Sequence, residues 1–284
     1  MLAWIHRDGR VEALPFAPQR FVEVRLSPDE RRIAVVIGGG GRNIWIYDLE
    51  GGDTRQLSFE GSNESLVWSP DGAWLYFRSD RSGEPEIWRR RVDASGKAEL
   101  VLAREGRQTP SSISADGNDL WFYEAGSIYR FRLSDESATV QPIRAAAAIT
   151  RFAVVSPAAD RDDLFAYQLS GDRQDGQARN TPRSQQVVVG TVSGGRDWTI
   201  GPPDSLFPSW SDDGRTVYYV SLNRDANGDR HLYGVTVSTG PSGPLFSEPQ
   251  PLFRVVSPSR ATYDVSADGS RLLMLVPIGG PGDP

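Results

Sequence analysis

The sequence contains no cysteine, which excludes disulfides, thiolate zinc sites and thiol catalysis. It has two histidines, His6 and His231, too few for a multi-histidine metal centre. Neither is accompanied by a Gly-x-Ser-x-Gly nucleophile motif, so a Ser-His-Asp triad has no foothold. Lysine occurs once, at Lys97, and the net charge is −6. Nucleic acid is therefore not an expected partner, because phosphate binding needs a concentrated positive surface. The one basic run, Arg89-Arg90-Arg91, lies in an apparent strand, where alternate side chains face opposite ways, and is expected to be a solvated strand face. No window approaches the roughly 18 consecutive apolar residues that span a bilayer, so direct membrane insertion is not expected. Met1–Asp8 reaches charge too soon to be a signal peptide. Helical periodicity is nearly absent; Ala145–Ala148 could form one turn, too short to stand alone.

Val, Ile, Tyr, Trp and Phe fill short apolar runs, separated by many of the 29 glycines and 20 prolines, the profile of an all-β protein. A strand ending in Ser, a tight turn and an apolar run recur six times. The anchors are Ser27, Ser69, Ser114, Ser156, Ser211 and Ser266, spaced by 42, 45, 42, 55 and 55 residues. Repeats of about 40–50 residues with four strands each belong to propellers. In the second unit strand A is Leu66–Trp68, B is Trp74–Phe77, C starts at Ile87-Trp88 and D is Glu99–Leu102. The sixth unit has strands A and B at Thr262–Val265 and Leu272–Val276, and its C and D strands are Ala3–His6 and Val11–Leu14. The expected fold is a six-bladed β-propeller of four-stranded blades, one domain over residues 1–284, with the sixth blade closed by both termini. The blades fall at about 22–58, 65–103, 110–143, 150–200, 207–253, and 261–277 with 1–16.

Trp68-Ser69-Pro70-Asp71-Gly72, followed by Leu75–Gly83 and Glu86-Ile87-Trp88, resembles the TolB-type WD40-like (PD40) repeat, as does Asn43–Leu49 leading to Thr54–Ser58. The resemblance covers essentially the whole chain. More narrowly, Leu2–Arg10 through Leu14-Pro15, Pro249–Phe253 and Tyr263–Met274 are similar to the ends of the C-terminal propellers of bacterial Ser/Thr kinases. That similarity implies a binding or sensory propeller in an extracytoplasmic, periplasmic setting. TolB's α/β domain and the kinase domain have no counterpart in this sequence, so TolB's own role does not transfer and a fragment or free-standing relative is expected. The fourth unit departs from the repeat, with Pro157-Ala158-Ala159-Asp160 at the turn.

Asp29, Asp71, Asp116, Asp213 and Asp268 recur at one place in the repeat and are expected to bond their own turn backbones. Trp45, Trp88, Tyr129 and Tyr233 share a strand-C position and are expected to pack between blades. Gly38–Gly41 lacks the Lys-Ser/Thr of a phosphate loop and opens a strand, so it reads as a B–C hairpin. The best metal motif is Asn223, Asp225, Asn227 and Asp229 with Gly228 sixth, like the start of a calcium loop. Gly234 stands where the bidentate Glu belongs, and a polar hairpin is the preferred reading. No cofactor is expected apart from this possible calcium.

Antiparallel strands put the short A–B and C–D turns at one end of each blade and the irregular B–C and D–A connections at the other. The Ser170–Gln185 insert and the Asn223–Asp229 loop are both B–C connections. A protein, peptide or small-molecule partner is therefore expected at this second end, over the axial channel, with Arg20, Glu64, Arg107, Asp204 and Arg260 as contacts. The expectation is a monomeric, non-catalytic binding propeller. The alternatives are a gating propeller separated from a prolyl-oligopeptidase-type serine hydrolase, and a lyase or hydrolase acting in the channel.

Overall fold

The computed structural model describes residues 1–134, 140–145, 149–155, 164–170, 185–193, 195–255 and 263–276. The fourth-unit turn at Ser156-Pro157, residues 146–148, most of the Ser170–Gln185 insert, and Val256–Arg260 with its Arg260 lie outside them. Among the described residues the structure is all strand and turn. In chain order the strands are β1 (Leu2–His6), β2 (Val11–Ala13), β3 (Phe21–Leu26), β4 (Arg32–Ile37), β5 (Asn43–Asp48) and β6 (Thr54–Gln56). Then come β7 (Asn63–Trp68), β8 (Trp74–Ser79), β9 (Glu86–Arg91), β10 (Glu99–Leu102), β11 (Thr109–Ile113), β12 (Asp119–Glu124) and β13 (Ser127–Arg132). Next are β14 (Val140–Ala145), β15 (Ile149–Val155), β16 (Leu164–Ser170), β17 (Gln185–Thr191), β18 (Asp197–Thr199) and β19 (Ser205–Trp210). The last are β20 (Thr216–Ser221), β21 (Arg230–Gly240), β22 (Gly243–Phe246), β23 (Gln250–Val255), β24 (Tyr263–Val265) and β25 (Arg271–Leu275).

These strands form six antiparallel sheets, the blades of a six-bladed propeller, and two compact units divide the chain. The first, Met1–Pro110 with Val256–Pro284, carries the sheets β24-β25-β1-β2, β3-β4-β5-β6 and β7-β8-β9-β10. The blade built from both termini is as the repeat requires: β1 pairs with β25 from Leu2↔Leu275 to His6↔Arg271. The Met1 ammonium donates to the Val276 carbonyl at 2.7 Å, and Arg7 reaches the Gly269 carbonyl at 2.8 Å. The second unit, Ser111–Val255, carries β11-β12-β13-β14, β15-β16-β17-β18 and a sheet around β19-β20-β21.

That last sheet has five strands rather than four. β21 runs for 11 residues; its inner part pairs with β23, and its outer part folds back on β22 through Gly240↔Gly243. The extra hairpin accounts for the long fifth repeat.

Apolar residues explain the layering. Central strands such as β4 and β8 are buried along nearly their whole length, whereas the outer β2, β6 and β18 are three residues long and mostly exposed. Short, charge-bearing outer strands protect sheet edges against further pairing. Within the first unit, one cluster joins Ala34, Ile44 and Ile46 to Leu66, Leu75 and Phe77, and another joins Leu2, Trp4 and Leu273 to Val24, Ile33 and Val35. Trp88 and Trp45 pack on these clusters, and Tyr233 packs on the cluster of β17, β20 and β21 in the second unit. Tyr129 stacks on Phe122 with ring centroids 5.2 Å apart.

The repeated turn is a clasp with three parts. In all five copies the Ser hydroxyl donates to the carboxylate of the Asp two residues on: 2.5 Å at Ser27, Ser69 and Ser114, 2.6 Å at Ser211 and 2.7 Å at Ser266. The same hydroxyl accepts the amide five residues on, at 2.9 Å in four copies and 3.1 Å in the fifth. The aspartate also accepts the amide two residues past itself. Four copies place Gly at the left-handed position that follows, with φ between 63° and 75°, where a Cβ is unfavourable.

Arg89, Arg90 and Arg91 do face alternately, but Arg90 is not simply solvated. Arg90 is half-buried and donates to the Leu57 carbonyl at 2.6 Å, while Arg89 and Arg91 lie over Trp74.

Candidate functional site

In the first unit, the B–C and D–A end of the blades gathers four charged side chains. Glu64 and Arg78 are direct cross-strand partners on β7 and β8 and form an ion pair. Arg42, at the end of the glycine-rich B–C loop, pairs with the other Glu64 oxygen. Arg107, from the connection leading to β11, lies 3.3 Å from Glu64 Oε1. Three guanidinium groups thus share one carboxylate. The Arg78 side chain is only 9% exposed and also donates to Thr109 Oγ1 at 2.9 Å; Arg42 and Arg107 are 43% and 68% exposed.

Local backbone geometry holds Glu64 in place. The β7–β8 register shifts between Glu64 and Val67, and Ser65 adopts φ 60°. Such a bulge re-aims a side chain and removes backbone groups from the ladder. The buried Glu23 carboxylate on β3 takes up those groups, accepting the Ser65 amide at 2.8 Å and the Leu66 amide at 3.0 Å. Arg25 balances it at 3.3 Å.

The loops around this site are sealed by their own last residues. Buried Asn63 donates to the carbonyls of Arg42, Glu60 and Gly61 at 2.7–3.2 Å. At the equivalent place six residues before the anchor Ser, Gln108 donates to the Arg104 and Gly106 carbonyls. The second unit repeats the device away from Glu64's own unit, where Ser205 donates to the Pro202 carbonyl.

Of the residues expected at this end, Glu64 and Arg107 are therefore brought together. Arg20 is exposed, and its backbone carbonyl accepts the Gly38 amide at 2.9 Å, beside the loop that supplies Arg42. Asp204 belongs to the second unit, with φ 67°, and its carbonyl accepts the Leu222 amide at 2.9 Å. Sequence reasoning missed Arg42, Arg78 and Glu23. A charged residue inside an apolar strand run, Leu75-Tyr76-Phe77-Arg78 or Val22-Glu23-Val24, is the signal that marks the last two.

In the Asn223–Asp229 loop the oxygens point to separate tasks. Asp225 accepts the Asn227 amide at 2.8 Å and the Asp229 amide at 2.9 Å, which hold its carboxyl below the usual carboxylate range, the Asp229 amide foremost. Asp229 pairs with Arg254 at 3.0 Å, and Asn223 donates to the Pro203 carbonyl at 2.9 Å. Among the described residues no group of three or more His, Asp or Glu side chains is gathered to hold a metal ion. His6 lies 3.0 Å from Glu12, and His231 3.9 Å from Asp225. No helix of the described residues is long and apolar enough to cross a membrane.

The TolB β-propeller domain family, PD40, matches residues 12–181. The chain belongs to this family. An uncharacterized protein of Agrobacterium fabrum is 46% identical over 69 residues, covering 24% of this chain and 24% of that protein. The Tol-Pal system protein TolB of Anaeromyxobacter dehalogenans is 37% identical over 119 residues, covering 36% of this chain and 27% of that protein. The matched segments thus span about a quarter of each of these relatives. A putative TolB from Agrobacterium tumefaciens has a solved structure that superposes with a TM-score of 0.71 at 17% identity, covering 96% of both chains, which establishes likeness of fold.

Proposed function

We propose that this chain is a non-catalytic interaction propeller that binds a protein or peptide through the B–C and D–A loop end of its blades. The observation that carries the reading is the Glu64 constellation: partly exposed charge, fixed on a bulged strand between sealed loops, at the end where the repeat becomes irregular. Rigid scaffolds commonly carry binding residues on such connections. Similarity to a Tol-Pal system protein supports a role in a protein assembly, and with it an extracytoplasmic location. In its finer form the propeller acts as a monomeric sensory domain, like those of bacterial Ser/Thr kinases. The alternative is the substrate-gating propeller of a prolyl-oligopeptidase-type hydrolase. A kinase-coding region upstream or a hydrolase-coding region downstream separates these two.

A photo-crosslinking side chain at position 107, in the native host, tests the binding end. A discrete protein adduct is expected from position 107 and none from position 31, which sits in an A–B turn. Equal adducts from both positions overturn the assignment. Ester, amide and glycoside substrates should not be turned over; turnover abolished by Arg78→Met would make the chain an enzyme. We read Asn223–Asp229 as a self-capped hairpin. Calorimetry should then show no calcium heat, whereas heat lost in Asp225→Asn would establish a cation site.

A further inference from the structure

We infer that the Glu64 constellation is a recognition site for a carboxylate-bearing peptide segment, an Asp or Glu side chain of a partner docking against Arg42 and Arg107. This rests on the binding reading above and names the chemistry of what is bound.

Arg42, Arg78 and Arg107 converge on the single carboxylate of Glu64, while adjacent Glu23 is balanced by Arg25. At Glu64 itself, three guanidinium groups thus meet one carboxylate, within a chain of net charge −6. Each guanidinium offers five N–H donors and a carboxylate about four lone-pair directions, so donors far outnumber the acceptors Glu64 provides. Arg78 is buried and committed to Glu64 and Thr109, whereas Arg42 and Arg107 present their outer faces to solvent.

The geometry then selects the class of anion. The guanidinium groups already surround a protein glutamate, so their spacing suits a planar carboxylate on a short side chain; guanidinium–carboxylate bonding is paired and directional. Arg78, held by Thr109, and Glu64, held by the Glu23-capped bulge, are both fixed before a ligand arrives. Asn63 and Gln108 fix the flanking loops that lead to Glu64 and Arg107. Such preorganisation lowers the ordering cost of binding.

Titration of the purified chain with a labelled hexaglutamate peptide at low salt tests the site. Hexaglutamine, hexagalacturonate and inorganic phosphate serve as competitors. Saturable hexaglutamate binding is expected, weakened by added salt and displaced weakly by the competitors. Arg42→Ala with Arg107→Ala should weaken it by about tenfold or more, since two charge-assisted contacts are lost. Arg10→Ala with Arg31→Ala removes equal charge from exposed positions and should leave the affinity unchanged. Absent hexaglutamate binding, or an equal loss in the control pair, overturns the inference. So does stronger displacement by hexagalacturonate or phosphate, which would make this a sugar-acid or phosphate site. Hexaglutamine binding that the Arg42/Arg107 pair does not alter would sink the carboxylate assignment while leaving peptide binding intact. Catalytic turnover, by contrast, would overturn the binding reading itself. All four arginine side chains are substantially exposed, so the variants should melt at the temperature of the parent protein.

Discussion

The two ends of a blade use the same residue types to opposite effect. At the A–B end, each aspartate of the repeat is engaged locally by a hydroxyl and an amide of its own turn, with Arg32 added at Asp29 and the Asn118 side chain at Asp116. At the other end, Glu64 answers to arginines drawn from three different segments, so three guanidinium groups meet one carboxylate. Self-satisfied charge makes a scaffold that can be repeated without creating a site. Charge shared between segments on sealed loops makes a site that, among the described residues, departs from the repeat. Substitutions at the two ends should therefore separate stability from binding.

Glu23→Ala should have the largest effect on stability because it acts across blades. It would leave the Ser65 and Leu66 amides of the bulge without their acceptor and take away the carboxylate 3.3 Å from Arg25. At about 1–3 kcal/mol for each of the two orphaned amides, a loss of roughly 2–6 kcal/mol is expected in urea denaturation. Hexaglutamate affinity should fall with it, because the bulge aims Glu64. A loss under about 1 kcal/mol would mean that water replaces Glu23 and that the bulge stands unaided.

Ser69→Ala follows, at about 1–3 kcal/mol. The hydroxyl both accepts the Trp74 amide at 2.9 Å and donates to Asp71 at 2.5 Å, in a residue only 7% exposed. Peptide affinity should be unchanged, in contrast to Glu23→Ala. If affinity fell as far as stability, the two ends would not be separable.

The blades were legible because the Ser-turn repeat is local: spacing, Asp-Gly turns and apolar runs suffice to mark β7 to β10. The turn role of the aspartates was legible for the same reason, since Asx bonding spans two residues. The Ser hydroxyl's double duty was not, because a hydroxyl's partners five residues apart meet only once the hairpin has formed. Nor was the Glu64 cluster, whose members come from positions 42, 64, 78 and 107 and meet through strand pairing and loop closure. Thr239-Gly240-Pro241-Ser242-Gly243 carries turn residues, yet a longer C–D connection and the observed β21–β22 hairpin use them equally well.

Acid should act on the clasp in a defined window. The Ser114 hydroxyl and Asn118 amide bring Asp116 down to about 2, and the Ser266 hydroxyl and Ser270 amide do the same for Asp268. A carboxyl lowered in the folded state stabilises it above the ordinary carboxylate range of about 4, and that contribution disappears as pH falls toward 2. Thermal melts should therefore lose this contribution between pH 4 and pH 2. Asp268→Asn should flatten part of that decline, by well under 1 kcal/mol for so exposed a group. An unchanged acid profile in Asp268→Asn would show that the clasp charge is immaterial.

Glu30 offers the finest division between the ends, because it is a departure from the repeat placed inside the scaffold. It stands where four other turns have Gly, and it takes φ 55°. Glycine there should relieve about 1 kcal/mol of left-handed strain. The Glu30 carboxylate, however, reaches the turn of the blade built from both termini, accepting the Ala267 amide and pairing with Arg271 at 3.2 Å. Arg271 in turn lies over Trp4 on β1, 4.1 Å from the ring centroid. A hydrogen bond to a charged group contributes about 1.5–3 kcal/mol, so the contact should outweigh the strain it imposes. Glu30→Gly should lower stability by about 1 kcal/mol, and Glu30→Gln should recover part of that loss through the Ala267 amide. A more stable Glu30→Gly protein would mean that strain wins and the terminal blade needs no tie beyond its β1–β25 pairing. The expected sign instead gives this departure a structural duty: it binds the blade that joins the chain ends to its neighbour, where no turn of regular sequence could reach.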